Sequence, residues 1–416
     1  MVLCVIASWC LMMTAPSMWA ETPQDHEPTD WPVMIARLRQ EWQQHPGLAN
    51  TRAQLAIAYN NYGVSLSDQN DWISAARQFE EAIRLDPTNE QFKTNFGHSL
   101  LNQAQDAYQH YDLVGATATL QKALQLNPKL DNAYALLGEI EYNRQHLKEA
   151  KSAWEKALQL NPQLPRVQDR LMQVTGELPV ESKFERVSQA YFDVRFEEGI
   201  DRPTGFDVRD ALVEARRQVG SDFNYWPKHQ VIVLVYSADS FRALRQQVPD
   251  WVAGQFDGKI RVPLPGAQLN LVDVRQTLFH EYTHAVIYDL TNGACPEWIN
   301  EGLAEYEGRS QRAGAVRLLR EAAEQQRLYP WGELGQHITN GTSADEVGLG
   351  YEQSYSIIAY VVNRYGFWRV RNLLKRFAAG ESWESALPAE LHTKGSSLQT
   401  AWRNWLSEFL ATYPSS

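Results

Sequence analysis

Small and apolar residues recur at fixed offsets through the first part of the chain. Gly63, Ala75, Phe79, Ala82 and Pro87 are repeated, at identical offsets, by Gly138, Ala150, Trp154, Ala157 and Pro162. Between these sets Gly97 lies 34 residues after Gly63, whereas Ala116, Leu120, Ala123 and Pro128 arrive seven residues late. Glycine and alanine let paired helices approach closely and proline ends a unit, so the pattern predicts three helical hairpins at about 56–89, 90–130 and 131–164 within a helical domain over 31–175. Seven residues are about two helical turns, so the insertion is expected to lengthen the two helices of the middle hairpin. Trp31 to Leu55 and Leu164 to Val174 read as flanking helices, and Thr175-Gly176-Glu177-Leu178-Pro179 as a linker.

Beyond the linker the period changes. Strand-like runs at Ala190 to Phe196 and Gln230 to Tyr236 bracket a helical stretch from Val208 to Val219. Gly254 to Leu264 alternates apolar with polar residues and contains Pro263, which reads as an edge strand able to pair with an extended peptide. A helix then carries Leu278, Val286, Ile287 and Leu290, with Asn270 as its N-cap, Asp273 at the third helical position and Asn292-Gly293 as its stop. Pro296 and Glu297 open a second helix, because proline and acid both suit a first turn. Further helical spacing follows at Gly350 to Val362, Leu373 to Phe377 and Trp402 to Phe409.

Composition narrows the function classes. The net charge is −11 over 416 residues, acids and bases are interspersed, and no basic tract occurs, which argues against nucleic-acid binding. Residues 1–20 are apolar, with Ala15, Ser17 and Ala20 near their end, and read as a secretory signal peptide; lacking Lys and Arg, they also suit an uncleaved anchor. A periplasmic or secreted protein with no membrane span after cleavage is the expectation. Export would leave Cys295 as the only cysteine and allow no intramolecular disulfide. Cys295 precedes a helix start, where a thiol pKa can fall, but no matched general base accompanies it.

The candidate chemistry lies in His280-Glu281-Tyr282-Thr283-His284 and, after sixteen intervening residues, in Glu301 of Trp298-Ile299-Asn300-Glu301-Gly302-Leu303-Ala304-Glu305. Residues four apart on a helix lie about 40° apart around its axis, so His280 and His284 can aim two imidazoles at one tetrahedral ion. Glu281 then stands beside the open coordination position as a general base.

Two resemblances attach to these residues. The 34-residue offsets resemble tetratricopeptide repeats, whose stacked helices form a concave surface for peptides or partner proteins. Asn60 and Val64 stand where carboxylate-clamp repeats carry Lys and Asn, so chaperone tails are not the expected ligand. From about residue 185 onward the chain resembles the gluzincin peptidases, whose aminopeptidase-N-like branch carries a Trp-Leu-Asn-Glu-Gly-Phe-Ala run. The resemblance implies one catalytic zinc held by His280, His284 and Glu301, with Glu281 as base and Glu305 supporting a ligand histidine; the rival assignment makes Glu305 the ligand. It also implies an oxyanion donor at Tyr351, since that branch has a Tyr-Glu-Lys-Gly run there; Tyr355 is the second candidate. No Gly-Ala-Met-Glu-Asn run, which captures a free amino terminus in that branch, precedes the motif, so endopeptidase action is the expectation.

The resulting architecture is multidomain. An all-α repeat solenoid precedes an α+β gluzincin-type metallopeptidase domain over 185–412 with a helical C-terminal part. The implied partners are a peptide or protein substrate and a protein bound in the repeat groove. A second reading keeps the repeats as a scaffold and makes the C-terminal domain non-proteolytic.

Overall fold

A computed structural model describes residues 30–45, 48–244, 254–264, 271–310 and 316–413. The expected signal peptide and the Asn270 cap lie outside these residues. The described chain divides into two compact units, the first ending at Leu178 and the second starting at Pro179.

The first unit is built from α1 (Trp31–Gln44), α2 (Ala49–Asp68), α3 (Trp72–Leu85), α4 (Glu90–Gln109), α5 (Leu113–Leu126), α6 (Asp131–Asn143), α7 (Leu147–Leu160) and α8 (Pro165–Glu181). Side chains of Asp71, Asn89 and Asp112 accept from first-turn amides and start α3, α4 and α5. Asn70, Tyr111 and Gln145 take positive φ of 61°, 58° and 60° where each hairpin turns. Phe79 and Trp154 fill the space opposite glycines: a Cβ at Gly138 would fall 2.3 Å from the Trp154 ring.

Three sequence expectations change here. The flanking stretch 31–55 is two helices, because α1 ends at Gln44 and Ala49 to Leu55 belong to α2, whose Leu55 is buried. The seven extra residues of the middle hairpin all fall in α4, which has 20 residues against 13 in α6, while α5 and α7 have 14 each. In consequence Ala104, not Gly97, holds the repeat frame: it precedes Ala116 by the standard offset and is fully buried with Leu120. Thr175 to Pro179 is not a linker, because α8 runs through it. Val174 is buried there and Glu177 accepts the Tyr142 hydroxyl at 2.8 Å, so packing on α6 carries the helix past its glycine and to its proline.

The second unit opens on β1 (Glu185–Gln189) and β2 (Phe192–Phe196), an antiparallel pair; the turn at Ala190 and Tyr191 shortens the strand expected from Ala190. α9 (Arg202–Phe223) follows, longer than its apolar run because Asp201 caps it and Pro203 sits in its first turn. β3 (Val231–Ser237), α10 (Ala238–Leu244), β4 (Gln255–Phe256) and β5 (Ile260–Leu264) complete a sheet of order β1-β2-β3-β5-β4, parallel at β2–β3 and β3–β5. Val233, Val235 and Val262 face one core with Leu212 and Leu278 of flanking helices, whereas Leu234 and Tyr236 join Phe241 on the other face. The expected edge strand 254–264 is thus a hairpin, turning at Gly258 with φ of 95°. Its second strand is interior where Ile260 and Arg261 pair with β4, and the two-residue β4 is the outermost described strand on that side.

Eight helices follow: α11 (Leu271–Thr291), α12 (Glu297–Arg309), α13 (Arg317–Glu324), α14 (Leu334–Asn340), α15 (Ala344–Tyr365), α16 (Phe367–Ala378), α17 (Trp383–Leu391) and α18 (Gly395–Ala411). α12 is held between α11 and α15 by two close approaches. A Cβ at Gly302 would lie 2.7 Å from the Ser354 carbonyl oxygen, and one at Gly308 would lie 3.1 Å from that of Gln276. Bulkier residues at either position would push α12 off its neighbours.

Candidate metal centre

α11 and α12 bring the motif residues together. His280 and His284, one turn apart on α11, have ring centroids 4.7 Å apart, and both are buried. Glu301, in the second turn of α12, places Oε2 3.3 Å from His280 Nε2 and 3.4 Å from His284 Nε2. One ligand atom from each of the three lies within 4.8 Å of the others.

The outer nitrogens explain why the inner ones are aimed. His280 Nδ1 faces Glu305 Oε1 at 3.3 Å, and the other oxygen of Glu305 accepts from Arg309 Nε at 2.6 Å. His284 Nδ1 lies 3.0 Å from Asn300 Oδ1. Each acceptor fixes the proton on Nδ1 and turns the lone pair of Nε2 inward. Both Nε2 atoms are buried without a hydrogen bond among the described residues. A tetrahedral zinc with bonds of about 2.05 Å has edges of about 3.3 Å between ligand atoms, which the two imidazole–carboxylate distances match. The three residues therefore fit a zinc-sized dication.

Glu281 is fully buried, and neither carboxylate oxygen has a hydrogen-bond partner among the described residues. Its floor is backbone: a Cβ at Gly254 would come within 2.7 Å of Glu281 Oε1, so only glycine leaves the carboxylate room. Burial outweighs the nearby His280 and raises its pKa well above the usual carboxylate range. Burial also opposes ionisation of Glu305, but Arg309 and His280 overcome it and hold that carboxyl far below the usual range. Glu301 is buried too, and the two histidines keep its pKa low.

The two tyrosines separate. The Tyr351 ring is buried with its centroid 6.5 Å from that of His280. Tyr355, one turn further along α15, pairs its hydroxyl with that of Tyr413 and lies under the Arg309 guanidinium at 4.9 Å. Cys295 does not have the lowered pKa expected at a helix start: burial, and then the charge of Glu297, push its thiol well up. Asn300 and Arg309 had no role in the sequence reading. Asn300 stood in plain view beside Glu301, whereas Arg309, one turn after Glu305 on a helix face, gave no signal before that face was known to be buried.

Residues 229–408 match the Peptidase MA superfamily, and residues 56–89 and 131–164 match the tetratricopeptide repeat. No curated protein matches the chain. Among solved structures the chain is similar to the first tetratricopeptide domain of Spaghetti (RPAP3) bound to an HSP90 peptide, at 22% identity over 30% of this chain and 95% of that one, TM-score 0.24. It is also similar to the Arabidopsis OM64 tetratricopeptide domain, at 20% identity over 30% and 96% of the two chains, TM-score 0.23. MamA is similar at 19% identity over 36% and 80%, TM-score 0.23. The protein thus carries tetratricopeptide repeats followed by a domain of the Peptidase MA superfamily.

Proposed function

We propose that this chain is a zinc-dependent endopeptidase, exported to the periplasm or beyond, whose repeats recruit the substrate or an assembly partner. The observation that carries the reading is the convergence of His280 Nε2, His284 Nε2 and Glu301 Oε2, with the Glu281 carboxylate, unbonded among the described residues, on the same helix turn as His280 and His284.

Zinc, when bound, supplies an acidified water and a positive charge beside the scissile carbonyl. Glu281 takes a proton from the attacking water and later delivers it to the leaving amine, and its raised proton affinity suits both transfers. Asn300 and Glu305 hold the imidazoles so that neither ligand turns its proton inward. Tyr351 is the oxyanion donor in this reading, since its ring lies beside His280 while the Tyr355 hydroxyl is engaged by Tyr413. Loss of such a donor costs about 3 kcal/mol of transition-state stabilisation. An extended substrate pairs with the sheet edge at β4, which follows directly on Gly254 and so runs past Glu281. The apolar first twenty residues support export.

The test is metal content followed by cleavage of a mixed unfolded-protein pool. Wild type and Glu281→Gln should each hold one zinc, and the substitution should lower cleavage by at least about a hundredfold. One zinc in each protein with equal silence from both would instead leave the repeats as the functional part.

A further inference from the structure

Tyr355, the second oxyanion candidate, pairs its hydroxyl with that of Tyr413 and so takes no part in the chemistry proposed above. It does stand in a line of contacts that ends on a histidine of the metal centre. Its ring lies under the Arg309 guanidinium at 4.9 Å, Arg309 Nε donates to Glu305 Oε2 at 2.6 Å, and Glu305 Oε1 faces His280 Nδ1 at 3.3 Å. The other end of the line is fixed as well. Arg320 of α13 donates to the carbonyl oxygens of Leu410 and Tyr413 at 2.9 and 3.1 Å, so Tyr413, just past α18, is held by its backbone and by its hydroxyl. Core packing alone does not call for this arrangement: two phenylalanines would fill the same space, whereas a hydroxyl removed from water costs stability unless it is bonded. Tyr355 is buried, and the Arg309 side chain is only 10% exposed. A long, rotatable arginine keeps a directional bond to one carboxylate only where its guanidinium plane has a fixed surface to rest on.

We infer that Tyr355 and Tyr413 are positioning residues of the metal centre: their hydroxyl pair fixes the ring on which Arg309 rests, and Arg309 in turn holds Glu305 on His280. This rests on the metal reading above and needs no cleavage to be tested. It makes the end of α18 part of a centre whose ligands lie on α11 and α12. It also gives Tyr355 a place behind the ligands instead of one beside the substrate.

The experiment uses the full chain, stripped of metal and titrated with zinc against a chelator of known affinity. Tyr355→Phe and Tyr413→Phe each remove one hydroxyl and keep the ring, and Tyr355→Leu removes the surface under Arg309. Every variant is made alone and together with Glu305→Gln, and the thermal midpoint of each metal-free protein is recorded. Direct outer partners of a metal ligand typically contribute about 10–100-fold in affinity, and residues one contact further out contribute less. The expected result is a loss of about threefold for either phenylalanine variant, no further loss when the two are combined, and about tenfold for Tyr355→Leu. None of the three should weaken zinc further in Glu305→Gln protein, because residues that act through one another are not additive. A substitution that merely loosened the fold would instead weaken zinc equally in both backgrounds and lower the metal-free midpoint in step. Unchanged affinity in the phenylalanine variants, or equal losses with and without Glu305, overturns the positioning role, and these variants decide the matter even if Tyr355→Leu does not fold. A fall in kcat for Tyr355→Phe at wild-type zinc affinity would make the tyrosine a catalytic donor and likewise sink the inference. A wild type that takes up no zinc would sink the metal reading itself, and the positioning role with it.

Discussion

At the residue scale, the centre depends on which nitrogen of each imidazole carries the proton. Asn300 and Glu305, before and after Glu301 on α12, decide that, and Arg309 keeps Glu305 charged. Outer partners of this kind typically contribute 10–100-fold in metal affinity. Asn300→Ala and Glu305→Gln are therefore expected each to weaken zinc binding by about that factor while leaving the protein folded. Competition against a chelator of known affinity measures it, and unchanged affinity in both variants would remove these residues from the centre. Both roles were half legible in the sequence. The resemblance to gluzincin peptidases implied Glu305 behind the ligands, but no local pattern of residues says that the residue beside Glu301 turns back onto His284.

At the element scale, α12 carries Glu301, which faces both histidines, on one side and an unusual acid on another. Glu307 is buried, accepts from Gln218 at 3.3 Å, and lies near Asp222. Burial first, then Asp222, push its pKa up to about 8 from an ordinary 4.5. A folded-state pKa above the unfolded one means that its contribution to stability is complete below about pH 4.5 and is lost as the pH rises through 8. Glu307→Gln should accordingly gain on the wild type by roughly 1 kcal/mol or more between pH 5.5 and 8.5, one pKa unit being worth about 1.4 kcal/mol. Urea midpoints at the two pH values give the comparison; parallel curves would mean that Glu307 stays ionised throughout. The strand elements teach a different lesson. The alternation in 254–264 was legible, yet it could not show that Asp257 and Gly258 turn the chain and make β4 the edge.

At the scale of the whole molecule, each unit has its own core. The repeats bury Phe79, Leu120 and Trp154, and the second unit buries the sheet, α9, α11, α12 and α15 together. A metal that binds only the folded second unit stabilises it by about 4 kcal/mol at a thousandfold excess over its dissociation constant. Chelation should thus lower the calorimetric transition of that unit and leave the repeat transition in place. Equal shifts in both transitions, or none in either, would count against a metal held by α11 and α12 alone. No described helix is long and apolar enough to cross a membrane, and the expected signal peptide or anchor lies outside the described residues.

What the sequence determined by itself is whatever one helix can encode. His280, Glu281 and His284 meet because helical geometry places residues four apart on one face, and the repeat hairpins follow from small residues at fixed offsets. Only the tertiary structure decided which acid faces both imidazoles, which residues bond their outer nitrogens, and which position held the frame of the middle repeat. Glu301 rather than Glu305 faces both Nε2 atoms because Gly302 and Gly308 let α12 settle against α15 and α11 in one rotation. Ala104 replaced Gly97 because all seven inserted residues entered one helix. Contacts between separate elements depend on packing distance and rotation, and a local pattern of residue types specifies neither.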